Sequence, residues 1–337
     1  MRRGIICGGS FCVDHNKQIN RWPEQETVAI IHGEDASGGG SSHNLSVDLK
    51  KLGAPFPVEI VALVGDDKDG EFLRQIVTDH GIDDRQIHTT NQVQTSYTDA
   101  LMPVQSGRRT HFYYPGTNGH ISPDHFNFEK TSCRILHLGL PGLHETMDAA
   151  WKGDASGWVA VLKAARTAGL KTNMELVSVD DHTIHRIGLP CVEHLDYLII
   201  NDSEVGGLTG IQTVSEGITD IKACDEAIDK ILMRGPMEFV IVHFPMGAIA
   251  CTKSGYKLKI PSVAISQDDI AGTNGAGDAF AAGVLLAIHE GGTLNDAMVL
   301  GHASSAASLR NMTTVGAVEN HKTCLEMAEK YGFRDAF

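Results

Sequence analysis

Short apolar runs closing on glycine or on polar turns alternate along this chain with stretches carrying apolar residues every three or four positions. These are the marks of buried strands and of helices with one apolar face. The run at 4–9 predicts a buried strand that delivers Ser10 to Asp14 to a sheet edge. Segments 18–22 and 27–32, either side of Pro23-Glu24-Gln25, read as two strands too polar on one face for a core. After Gly38-Gly39-Gly40 a helix carries Leu45, Leu49 and Leu52 and stops at Gly53. A strand at 58–64 and a helix through Phe72, Leu73, Ile76 and Val77 to Gly81 follow. Segments 95–104 and 109–114 alternate around Gln105-Ser106-Gly107-Arg108, a hairpin pattern, and with the earlier pair they predict a four-stranded lid.

From Ile135 the alternation hardly breaks. Strands are predicted at 135–138, 170–176, 197–200 and 239–242, helices at 158–168 and 220–233, and a hairpin at 248–260. A helix at 276–288 ends at Gly291-Gly292, and helices at 294–309 and 318–331 close the chain. This order predicts an α/β fold: a doubly wound, mostly parallel sheet with helices on both faces. Ligands of such sheets bind beyond the carboxyl ends of the strands. Asp14, Asn201 to Glu204 and Asp278 all fall at predicted strand ends or in the turns that follow. A chain of 337 residues suits one large domain over 1–337, with lid strands contributed by about 15–35 and 95–115.

Charge narrows the partners. With 42 acidic and 28 basic residues the net charge is −14, and no Lys/Arg run appears, so neither nucleic acid nor an anionic membrane is expected as a partner. An anionic ligand needs local N–H, Arg or Lys donors. The seven cysteines are odd in number and show no C-x-x-C spacing, which reads as reduced thiols. No apolar run approaches the roughly 18 residues of a membrane span, and the expectation is a soluble, cytoplasmic protein. His182-x-x-His185 has a metal-like spacing without a third ligand near in sequence, so it is not read as a zinc site. Arg108 and Arg109 read as a solvated hairpin tip.

The chemistry concentrates at Gly272-Thr273-Asn274-Gly275-Ala276-Gly277-Asp278, where glycines precede a helix entrance that also carries one carboxylate. Backbone N–H groups at a helix start, with no Cβ in the way, hold a phosphate or a negatively charged transition state. Asp278 adds a base at the same place. The bland alternative is a first-turn aspartate beside a tight turn.

Three motifs in order resemble the ribokinase-like (PfkB) carbohydrate kinase family, over essentially the whole chain. Gly39-Gly40-x-x-x-Asn44 before a helix ending in Leu52-Gly53 resembles the family's sugar-side motif; Asn201-x-x-Glu204 resembles its magnesium and phosphate motif. Gly275-Ala276-Gly277-Asp278 resembles its anion hole and base. The resemblance implies a ribokinase-like sheet with a β lid, ATP and Mg²⁺ as cofactors, and transfer of a phosphoryl group to a hydroxyl of a sugar or sugar-like small molecule. It gives Asp278 the role of base, with Gly275, Ala276 and Gly277 forming the anion hole. Asp14, Gly39, Gly40 and Asn44 would hold the acceptor. Asn201, Glu204, Thr273 and Gly247 would lie at the nucleotide, with Glu204 and Asn201 organising Mg²⁺ through water. A homodimer through the lid is implied as well.

The chain departs from the family pattern in three places. Gly272 stands where an aspartate of a monovalent-cation loop is usual, with Asp269 three residues upstream. Pro245 removes a donor from the nucleotide loop, and Asn173-Met174-Glu175 is a loose version of a polar strand end. Asn201 and Glu204 also match a plain capping box. Two rival functions stay open: a nucleoside kinase, for which Phe11, Trp22, Phe112 and Tyr114 offer aromatic surface, and a catalytically silent sugar-binding regulatory protein.

Overall fold

A computed structural model describes residues 2–105, 109–177 and 179–337. The chain enters through β1 (Ile5–Gly9), whose five residues are all buried, and passes at once into β2 (Cys12–Ile19) and β3 (Ile31–Gly39). Next come β4 (Val58–Gly65), β5 (Asp83–Thr90), β6 (Tyr97–Pro103) and β7 (Thr110–Tyr114). The second half supplies β8 (Ile135–Gly139), β9 (Lys171–Met174), β10 (Tyr197–Asn201), the small hairpin β11 (Val214–Ser215) and β12 (Ile218–Thr219), then β13 (Phe239–Phe244), β14 (Gly247–Thr252) and β15 (Lys257–Pro261).

Nine of these strands form one sheet in the order β15-β14-β13-β10-β9-β8-β1-β4-β5. It is parallel from β5 to β13 and turns antiparallel for β14 and β15. Strand β4 shows why the sheet is covered on both sides: all eight of its residues are buried, Glu59 included, as a nearly continuous apolar run requires. One face packs Leu45, Leu49, Phe280, Val284 and Ala303 from the helices Ser41–Lys51, Ala276–His289 and Leu294–Ser308. The other packs Trp158, Leu162, Ile228 and Ile231 from the helices Gly157–Thr167 and Ile221–Leu232. Both predicted features, the doubly wound sheet and the separate lid, are present.

The lid is a four-stranded sheet in the order β3-β2-β6-β7, with β2 and β6 parallel. Its first two strands correct the sequence reading. They run over Cys12–Ile19 and Ile31–Gly39, and residues 20–30 connect them. Trp22, Val28 and Ile30, the apolar positions that suggested strands, are exposed on that connection. Strand content sits instead in polar residues such as His15, Asn16, Glu34 and Asp35, which pair across the ladder without entering a core. Strand β5 and the short helix Gly116–His120 were not predicted either; β5 is a largely polar edge strand beside β4. The turn residues Ser106, Gly107 and Arg108 lie outside the described residues.

All seven cysteines are free and buried. Among the described residues no helix is long and apolar enough to cross a membrane, and no cluster of His, Cys, Asp or Glu forms a metal site, His182 and His185 included.

Candidate active site

The helix Ala276–His289 begins beyond the carboxyl ends of the parallel strands, and its start is built for an anion. Gly275 caps it in a left-handed conformation (φ 78°) and supplies no side-chain cap, while Ala276 N makes a long bond to Thr273 O at 3.4 Å. The N–H groups of Gly277 and Asp278 stay open to a ligand. A Cβ at Gly275 would meet the Thr314 carbonyl oxygen at 2.2 Å, so only glycine fits the turn against that loop.

Asp278, in the first turn, is held by a chain of side-chain bonds. Asn44 Nδ2 donates to Asp278 Oδ2 at 3.0 Å, and Thr314 Oγ1 donates to Asn44 Oδ1 at 3.0 Å. Glu175, just past the carboxyl end of β9, and Asp278 line the same small cavity. Behind it His137 Nε2 lies 3.1 Å from Glu175 Oε2, while Asn173 Nδ2 lies 2.9 Å from His137 Nδ1. Asn173 can only donate at that contact, which leaves the His137 proton on Nε2, facing Glu175.

Burial governs the charges here. It raises the pKa of Asp278 well above the ordinary carboxyl range, with the charge of Glu175 adding to it and Asn44 opposing it. Burial likewise pushes Glu175 up to about 7, with the nearby Glu204 carboxyl adding to it. Glu204 is pushed up to about 7 for the same reason. Desolvation lowers His137 and His243 to about 4, so both rings are neutral at pH 7.

Two cavities meet at this point. A cavity of 480 Å³ is lined by Phe244, Pro245, Ile265, Phe280 and Leu309, with Thr273, Ala276, Gly277 and Asn201 at one end. A smaller one of 90 Å³ is walled by Glu175, Glu204 and Asp278, and shares Asn201, His243 and Gly277 with the first. Asn201 and Glu204 form the reciprocal capping box of the helix Asp202–Thr209: Glu204 N donates to Asn201 Oδ1 at 2.8 Å and Asn201 N donates to Glu204 Oε2 at 3.0 Å. The capping alternative is therefore real, and it coexists with the ligand-facing one, because both residues also line the carboxyl pocket.

On the lid side Asp14 projects from β2 toward β3. An ideal Cβ on Gly39 would sit 2.4 Å from Asp14 Oδ2, so the glycine makes room for the carboxylate. Burial raises the Asp14 pKa to about 6 against the opposing bond from Thr98 and the charge of Arg109. Gly40 (φ 89°) lets the backbone turn against the Ser10 carbonyl.

The structure thus brings Asn44, Gly275, Ala276, Gly277 and Asp278 together with Asn201 and Glu204, and it puts Thr273 on the large cavity. Gly247 is not brought there: at the start of β14 it faces the Phe337 ring, which a Cβ would approach to 2.3 Å. Asn44 is buried, and its amide is engaged by Asp278 and Thr314, so it orients the Asp278 carboxyl. Sequence reasoning missed Glu175, His137, His243 and Thr314. The first three lie at or near the carboxyl ends of β9, β8 and β13, a position that was a usable signal; Thr314 sits in a loop with none.

A parallel α/β sheet with a glycine-entered helix and a buried carboxyl in a small cavity beside a larger one is an architecture suited to phosphoryl transfer. Residues 3–320 match the pfkB family of carbohydrate kinases, and the chain belongs to that family. It is 22% identical to the ribokinase of Haemophilus influenzae, over 98% of this chain and 99% of that one. The solved Arabidopsis thaliana ribokinase, complexed with ribose and ATP, superposes with a TM-score of 0.81 at 20% identity, covering 98% and 99% of the two chains. A nucleoside kinase from Methanocaldococcus jannaschii superposes with a TM-score of 0.76 at 20% identity, covering 97% and 98%.

Proposed function

We propose that this carbohydrate kinase transfers the γ-phosphoryl group of ATP to a hydroxyl of a sugar or sugar-like small molecule, with Asp278 as the base. The observation that carries the proposal is the Asp278 carboxyl itself. It sits in the first turn of the helix, on the wall of the smaller cavity next to Gly277, which lines both cavities, and it is pinned by Asn44. ATP would lie in the 480 Å³ cavity, its base against the apolar wall and its γ-phosphoryl oxygens on the N–H groups of Ala276, Gly277 and Asp278.

The pocket of hard carboxyl oxygens suits Mg²⁺. Glu204 and Asn201 would hold it through water, where it would neutralise phosphate charge. Phosphoryl transfer through a loose transition state asks mainly for positioning and charge stabilisation. Asp278 would align the attacking hydroxyl and accept its proton late in the transfer. Asp14, Gly39, Gly40 and the free edge of Asn44 would receive the acceptor under the lid.

A panel of sugars, sugar phosphates and nucleosides assayed for ATP consumption tests this reading. A sugar-type acceptor is expected, and Asp14→Ala is expected to raise its KM while leaving the KM for ATP nearly unchanged. Turnover of nucleosides alone would replace the acceptor class, and absence of turnover with every compound would favour a silent binding protein. Of the four aromatics considered for a nucleoside base, Phe11 is fully buried, Trp22 and Phe112 stack on each other with centroids 6.1 Å apart, and Tyr114 stacks on Tyr97. Phe11 is unavailable to a base, and the rings of Trp22, Phe112 and Tyr114 are already stacked on one another or on Tyr97, which favours the sugar-type acceptor.

The lid carries an outward apolar group, Trp22, Ile30, Ile31 and Phe112, each about half exposed or more. A second copy of the chain covering it would remove that surface from water. Sedimentation velocity is expected to give a dimer, and a monomer at all concentrations would remove this contact.

A further inference from the structure

The anion hole leans on a second loop, 311–316. The Thr314 carbonyl packs on Gly275, and the Thr314 hydroxyl donates to Asn44, which in turn holds Asp278. Upstream of the turn, Ala271 N and Gly272 N both donate to Leu309 O, at 2.8 and 3.2 Å. Within the loop, Asn311 Oδ1 accepts from Thr313 N at 2.9 Å and from Thr313 Oγ1 at 3.1 Å. Every part of the catalytic constellation on this side therefore depends on where the loop sits.

Its far side is fastened by one cation. Lys51 Nζ, from the last turn of the helix Ser41–Lys51, donates to Val315 O at 2.5 Å and to Gly316 O at 2.9 Å. The side chain is half-buried; burial pulls its pKa below the usual lysine range, while the charges of Asp48 and Glu319 oppose that. Asp48, one turn earlier on the same helix, is fully buried, and neither of its oxygens has a hydrogen-bond partner among the described residues. Burial raises its pKa well above the ordinary carboxyl range, and the nearby Lys51 cation opposes that rise.

The residues here do not fit the monovalent-cation loop that the family resemblance implies. Gly272 offers no carboxylate, and Asp269 is exposed, accepting from the Tyr331 hydroxyl at 2.7 Å. The carbonyls of Val315 and Gly316 are already taken by an ammonium group. We propose that Lys51 is a positioning residue, a covalently tethered cation that clamps loop 311–316 against Gly275 and Asn44, so that turnover needs no dissolved monovalent cation. This rests on the kinase reading of the Asp278 site.

The test compares wild type, Lys51→Ala and Lys51→Arg in tetramethylammonium buffer and after exchange into potassium or ammonium at constant ionic strength, by thermal melting and by steady-state kinetics. Wild-type Tm and kcat are expected to be the same in all three salts, within about twofold for kcat. Lys51→Ala is expected to lose about 10- to 100-fold in kcat, as misplaced catalytic groups do, with a smaller change in KM. Ammonium or potassium should restore part of that loss and raise the Tm of this variant, and Lys51→Arg should keep most of the activity. A potassium-induced rise in wild-type Tm overturns the proposal whether or not an acceptor has been found, and so does activation of wild type by potassium beyond about fivefold. Wild-type kcat in Lys51→Ala, or a loss in that variant that no cation restores, overturns it as well. Should Lys51→Ala fail to fold, the wild-type salt comparison still decides.

Discussion

Asp278→Asn is expected to lower kcat by about 10²–10⁴, the range that loss of a general base produces, with ATP binding largely kept. The amide preserves the size of the side chain and its bond with Asn44, so the helix entrance and both cavities should persist. What it removes is the acceptor for the hydroxyl proton. The same group sets the pH profile. Burial and Glu175 hold the Asp278 pKa well above the ordinary range, and Glu175 itself is raised to about 7. A carboxyl with a raised pKa keeps its proton to higher pH, and the base must be ionised to work. The kcat/KM of wild type should therefore fall as pH drops through neutrality, well before the value of about 4 at which an exposed aspartate titrates. The two carboxyls line one small cavity and their charges act on each other, so this limb belongs to the pair and not to either residue. Assay of both enzymes from about pH 5.5 to 9 checks this; the residual activity of Asp278→Asn should be nearly flat over the same range. Wild-type-like turnover in the variant would sink the assignment of the base.

Gly275→Ala is the second large effect. The position combines φ 78° with a backbone oxygen 2.2 Å from the new Cβ, and a carbonyl cannot swing aside as a side chain would. Left-handed strain alone costs about 1–3 kcal/mol for a non-glycine residue. Relief of the clash must move either the helix entrance or Thr314, and through Thr314 it moves Asn44 and Asp278. A loss of about 100-fold in kcat together with a lower Tm is expected. Gly217→Ala is the matched control: φ is 77° there, but open space surrounds the Cβ. It should lower Tm without touching kcat, and equal kinetic losses in both variants would show that the anion-hole argument is wrong.

Much of this was legible in the residue pattern because it is local. The buried strands β1, β4, β8, β10 and β13 are continuous apolar runs, and Gly275 to Asp278 carries its chemistry in consecutive positions. The lid was legible only as a region. Its strands are specified by pairing between polar residues, such as Asp14 with Ser37 and Asn16 with Asp35, and no apolar periodicity marks their ends. The partners of the base were not legible for a different reason. Glu175, just past β9, comes beside Asp278 only because the helix Ala276–His289 starts over the carboxyl ends of the sheet, and Thr314 reaches Asn44 across 270 positions. Gly247 was the converse failure: a glycine in the right segment whose open face is filled by Phe337, from the far end of the sequence.

Those long separations have a kinetic meaning. Asn44 and Asp278 stand 234 positions apart, and the Thr314 bond spans 270, so the base is aligned only when both ends of the chain have met. Contacts of this range form late, since loop closure must be paid before they contribute. A chain still emerging from the ribosome can complete β1, β4, the first helix and the lid strands without possessing a base or an anion hole. An incompletely made molecule is accordingly unable to discharge nucleotide on water, and catalytic competence arrives in one step with the closing of the fold.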